Sequence, residues 1–174
     1  MDLSRLSLSF LPMLWVLVTF SQSQKDIYAA YDNAFIEDVL QLEYNVGADR
    51  IMLKGYSPVS YVDQGVAEKG SPDFSIEYQQ VIFLFTSEDQ KQLFSQNPSR
   101  YMPAYGGYCA YGVAIAKHLD IDPQNFKMLN GRVHLFLRNN EVDALDLWNK
   151  GKETAMVEDA EVNWEILRLL PDED

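Results

Sequence analysis

FKMLNGRVHLFL, residues 126–137, decides the fold class. Asn130-Gly131 lies at its centre, the pair a type I′ turn prefers because both of its middle positions take positive φ. Phe126 to Leu129 and Val133 to Leu137 flank that pair as apolar-rich runs of strand length, which predicts a β-hairpin.

Upstream, YMPAYGGYCAYG at 101–112 gathers four tyrosines, three glycines and the only cysteine of the chain. Paired glycines let backbone approach backbone or ligand closely, and tyrosines supply flat apolar surface ending in a hydroxyl. The segment predicts a glycine turn entering a short helix, with Tyr108, Cys109 and Val113 facing the core. Further back, Phe74, Ile76 and Tyr78 alternate with Ser75 and Glu77, and Val81 to Phe85 is a continuous apolar run. With Gln79-Gln80 between them they predict a second hairpin. Ser87 and Gln90 have the spacing of a capping box ahead of Leu93 and Phe94, and Asn97-Pro98 closes that short helix.

From Asp26 to Leu42, Ile27, Tyr31, Ala34, Phe35, Val39 and Leu42 recur at helical spacing, predicting an amphipathic helix. Arg50 to Leu53 reads as a short strand, and Ser57-Pro58 as the start of a helical turn. Asp122-Pro123 reads as the cap of another turn running through Phe126. Asn140 to Leu170 reads as helix interrupted near Gly151, with Leu145 and Trp148 on one apolar face and Val162, Ile166, Leu169 and Leu170 on another. Glu158, Asp159 and Glu161 belong to its solvated side. No internal repeat is visible. Strands and helices interleave without regular βαβ spacing, so the expected class is α+β, a small antiparallel sheet with flanking helices.

Arg5 and the amino terminus precede an apolar run from Leu6 to Phe20, followed by small residues. That pattern is a secretory signal over residues 1–23, since the run falls short of the ~20 residues needed to span a membrane. The expected organisation is then an N-terminal helix over 24–47, a main domain over 48–148, and a C-terminal helix with an acidic end over 149–174. A formal net charge of −12 argues against nucleic acid and against an anionic membrane, and permits a cationic or extracellular partner or a metal ion.

Cys109 has no intrachain disulfide partner, so it is buried and inert, metal-bound, or paired with another chain. As a metal ligand it would work with His118, and soft sulfur chemistry with Met102 nearby points to copper, imidazole to zinc. His134 alternates with Val133 and Leu135 on its strand and is expected at the surface or the core edge. A catalytic reading would use His118 as the base for a Cys109 nucleophile, but no signature of a cysteine hydrolase accompanies them. The twelve-position calcium loop is also missing around Asp120 and Asp122.

Four segments in order, GYSPVSYVDQG (55–65), FSIEYQQVIFLFTS (74–87), NPSRYMPAYGGYCAYGVA (97–114) and LDIDPQNFKMLNGRVHL (119–135), resemble the YHS-domain family. The resemblance implies a small α+β domain, often secreted or periplasmic in its single-cysteine form, with suspected metal binding and no established catalytic activity. Multi-cysteine relatives are thought to bind metals through several thiols, where this chain offers Cys109 alone. Gln80 also stands where the subfamily resembles itself in a glycine. The functional expectation is a secreted binding domain that takes a transition metal through Cys109, the alternative being an acidic extracellular or matrix interaction protein with a purely structural cysteine.

Overall fold

The computed structural model describes residues 39–169, so the expected signal segment and most of the predicted N-terminal helix lie outside the described residues. Residues 39–43, at the end of that predicted helix, are helical. The described chain is α+β and contains two antiparallel hairpins in place of one sheet. β1 (Ser71–Tyr78) pairs with β2 (Val81–Phe85), and β3 (Asp122–Leu129) with β4 (Arg132–Phe136). Helix α1 (Glu88–Gln96) and the short α2 (Pro98–Tyr101) follow the first hairpin. Helix α3 (Ala110–Ala114) precedes the second hairpin, and α4 (Ala144–Lys150) and α5 (Glu153–Leu167) follow it.

The two hairpins match rung for rung. Ser71↔Phe85, Ser75↔Leu84, Ile76↔Phe83, Glu77↔Ile82 and Tyr78↔Val81 in the first correspond to Asp122↔Phe136, Phe126↔Leu135, Lys127↔His134, Met128↔Val133 and Leu129↔Arg132 in the second. Each has its irregularity after the first rung, and each places a proline there, Pro72 and Pro123. Proline has no N–H to give to a ladder, so a break in pairing is where a strand can hold it. The turn residues Gln79, Gln80, Asn130 and Gly131 all have positive φ, between 51° and 76°.

Correspondence extends upstream of each hairpin. A tight turn at Met52–Gly55 holds Leu53, Lys54 and Gly55 at φ 56°, 51° and 80°, and one at Ala104–Gly107 holds Tyr105, Gly106 and Gly107 at 51°, 56° and 83°. After each turn a tyrosine N–H, of Tyr56 or Tyr108, donates to the carbonyl three residues back. The next N–H, of Ser57 or Cys109, then donates to the segment that leads into the hairpin, at Glu68 O or Leu119 O. A helical segment follows in both, Ser60–Gln64 in the first half and α3 in the second. This repeat is hidden in the sequence because backbone geometry is kept while most side chains differ. Gly55-Tyr56-Ser57 and Gly107-Tyr108-Cys109 are its visible trace.

A two-stranded hairpin is marginal alone, and both are secured by aromatic side chains from the helices. Phe94 of α1 is fully buried with its ring 4.7 Å from Phe83, 5.2 Å from Phe85, 5.8 Å from Tyr78 and 6.2 Å from Tyr101. Trp148 of α4 is fully buried against Phe136 at 5.5 Å. Ser87 caps α1 by accepting from the Gln90 N–H at 3.3 Å, as its spacing predicts. The Gln90 side chain turns inward, accepting from Ser57 Oγ at 2.6 Å and donating to Ser60 Oγ at 2.9 Å.

Three local expectations are corrected. Arg50 to Leu53 forms no strand, only a bridge from Ile51 to Ile82, because Arg50 and Leu53 take positive φ. Asp122-Pro123 opens β3 rather than a helical turn, the Asp122 carboxylate accepting from Gln124 N–H and from Arg138. The predicted apolar face points outward, with Val162 66% and Ile166 54% exposed on α5 and Leu169 68% exposed in the turn after it. The inner face carries Ala160, Leu167 and Asn163, whose amide donates to the carbonyls of Val113 and Ala114. Leu170 lies outside the described residues. Among the described residues no helix is long and apolar enough to cross a membrane.

Candidate functional site

Cys109 leaves the left-handed turn in extended conformation and occupies the position before α3. Its thiol is fully buried and unpaired. Two backbone groups are directed at the sulfur, Leu137 N–H at 3.2 Å and Gly112 N–H at 3.5 Å. The first ties the turn to the end of the second hairpin and the second caps α3. Burial raises the thiol's pKa, and the N–H groups of Leu137, Gly112 and Tyr111 only partly oppose it. The resting species is therefore the thiol, whereas metal ligation and nucleophilic attack both need thiolate.

His118 is half-buried, and its ring lies 4.4 Å from that of Tyr108 and 6.3 Å from that of Trp164, edge-on to the latter. The backbones of Cys109 and Leu119 are joined by a hydrogen bond, so His118 passes beside the cysteine in the chain path. The thiol accepts from the Leu137 and Gly112 N–H groups, and the imidazole packs in an aromatic layer with Tyr108 and Trp164. Met102 is half-buried and packs on the core, as a flexible gap-filler does. Among the described residues no three His, Cys, Asp or Glu side chains gather as a metal-holding group.

His134 is only 6% exposed, which corrects its expected place at the surface or core edge. Its ring lies 5.5 Å from Tyr105 and 6.4 Å from Trp148. Strand alternation misleads here because β4 is covered on both faces, with Val133, His134, Leu135 and Phe136 all buried. Nδ1 is 3.2 Å from Arg132 O, and since a carbonyl only accepts, Nδ1 carries the proton. Burial pushes the pKa down to about 4, so the ring is neutral at neutral pH. The Tyr105 hydroxyl is also hard to ionise, its pKa raised to about 12 by burial first and by Glu161 second.

The first half shows what the Cys109 position demands. Ser57 stands at the matching place, is fully buried, and gives its hydroxyl hydrogen to Gln90. Both positions take a small side chain with one polar atom facing backbone or amide groups of a neighbouring element. Sequence reading missed this equivalence, although the Gly-Tyr-Ser and Gly-Tyr-Cys tripeptides carry it.

Comparison with known protein families, with curated proteins and with solved structures returns no match to the chain. The likeness to YHS domains thus rests on the four quoted segments.

Proposed function

We propose that this protein is a non-catalytic binding module of YHS-like type, acidic and extracellular, in which Cys109 is structural. One observation carries the reading: the thiol is sealed in the core as an acceptor for Leu137 and Gly112 N–H groups, in a position that the first half fills with serine. A thiol held protonated by burial is a poor metal ligand and a poor nucleophile. An acidic surface with a formal net charge of −12 favours a cationic partner.

Thiol labelling and metal analysis of untagged protein test it. Native protein should react with a thiol reagent only as it unfolds, and should carry no stoichiometric copper or zinc. Cys109→Ser should fold and lose about 1–3 kcal/mol, since a hydroxyl then meets donors spaced for sulfur. Fast stoichiometric labelling of native protein would overturn the structural thiol, and a stoichiometric metal lost on Cys109→Ser and on His118→Ala would replace this reading with the metal one.

A further inference from the structure

Val162, Ile166 and Leu169 stand at i, i+4 and i+7, each more than half exposed, and form one stripe along the outer face of α5 and the turn after it. Leu169 N–H donates to Ile166 O at 3.0 Å, so that turn carries the stripe on. Apolar side chains scattered singly over a surface need no explanation, whereas a contiguous exposed stripe marks an interaction site. Helical periodicity sets Glu158 and Glu165 along one side of it, with Glu161 beyond them, and Asp159 along the other, all four exposed.

None of these carboxylates is in an ion pair among the described residues. From Glu158 to Leu169 the single cation is Arg168. Stability of the helix does not account for the charges: Glu158 with Glu161 and Glu161 with Glu165 are like charges at i, i+3 and i, i+4, which repel on a helix surface. Glu165 also lies in the last turn, where the helix dipole favours a cation. The chain thus carries an uncovered apolar stripe and uncompensated negative charge on one face, and one occupant relieves both. A second copy would set the same carboxylates against each other, and an anionic membrane is repelled. A helix with apolar residues at the same spacing and basic residues beside them meets the stripe with its own and the carboxylates with cations.

We propose that the outer face of α5 docks a basic amphipathic helix of a partner protein, its apolar residues on Val162, Ile166 and Leu169 and its cations on Glu158, Asp159 and Glu165. The proposal rests on the reading of an acidic binding module and gives that module its surface and partner class. Thiol labelling and metal analysis of Cys109 do not involve α5, so the two failures are told apart. A synthetic leucine–lysine peptide with leucines at heptad spacing, titrated into the full chain and followed by calorimetry and amide chemical shifts, is the test. Its control has the same composition with leucines at every second position. Saturable one-to-one binding of the heptad peptide is expected, with shifts centred on α5 and with affinity falling as salt rises. Val162→Gln with Ile166→Gln should weaken it by about tenfold or more, and Leu93→Gln, at an exposed apolar position on α1, should leave it unchanged. Glu158→Gln with Glu165→Gln should weaken binding severalfold while raising the melting temperature of the free chain, a pair of opposite effects that a merely structural role would not give. Absence of saturable binding, equal binding of the control peptide, or full binding by the folded Val162 and Ile166 variant would overturn the proposal. A dimer of the full chain, or binding to phosphatidylcholine vesicles, that is lost on those two substitutions would overturn it as well and give the face to a second copy or to a membrane.

Discussion

The turn at Met52–Gly55 and the turn at Ala104–Gly107 follow the same left-handed path, yet the first is built from Leu53, Lys54 and Gly55 and the second from Tyr105, Gly106 and Gly107. A Cβ on Gly106 would lie 1.9 Å from Glu43 O, so the chain crossing above it leaves room only for glycine. Lys54, at the same φ within a few degrees, is exposed and reaches out to Asp120. Backbone path alone therefore tolerates a side chain, and the crowding decides where glycine is obligatory. The same contrast runs through the buried pair Ser57 and Cys109, and through the strand positions Phe83 and His134, where one half uses a hydrocarbon ring and the other an imidazole.

Gly106→Val breaks the comparison hardest. Added strain at positive φ and the collision with Glu43 O should destabilise by about 3 kcal/mol or more in urea unfolding, or prevent folding. Lys54→Gly should change stability by no more than about 1 kcal/mol, since relief of left-handed strain offsets loss of an exposed ion pair. Equal damage from the two substitutions would mean that the turns are not equivalent in the way described.

Next in size is the pH response of His134. Its folded pKa near 4 lies below the ordinary 6.5, so the unfolded chain takes up the proton first as pH falls. The stability it contributes is complete above pH ~6.5 and is lost as pH drops towards ~4, by up to about 3 kcal/mol. His134→Phe copies the first half and should flatten the stability slope across that window. A slope that survives the substitution would assign the effect to other groups.

Smallest are the hairpin tips. Gln80→Gly should stabilise by about 1 kcal/mol or less, because Gln80 holds φ 66° where the second hairpin has Gly131. Gly131→Gln should cost a similar amount, since nothing lies within 4 Å of a Cβ there and only the backbone term changes. Thermal melts of both variants measure one conformational preference with opposite signs.

Both hairpins, the Ser87 cap and the cysteine's place ahead of a short helix were legible in the sequence, because alternation, capping spacing and turn residues act over a few positions. Faces were harder. Val162 and Ile166 of α5 and Leu169 just beyond it recur at helical spacing, but the helix buries Ala160 and Leu167 and seats Asn163 on the carbonyls of α3. A periodic stripe says that a face is apolar, while the neighbour that needs a small residue and an amide donor chooses which face turns in.

By itself the sequence determined the class, α+β, and the local chemistry of each turn, since those depend on φ preferences and short-range pattern. Tertiary structure alone decided that two halves repeat one path, that β4 is covered on both sides so that His134 is neutral, and that Cys109 spends its sulfur on Leu137 and Gly112. Those outcomes depend on residues far apart in the chain that meet only when the core closes, and no short window of sequence contains both partners.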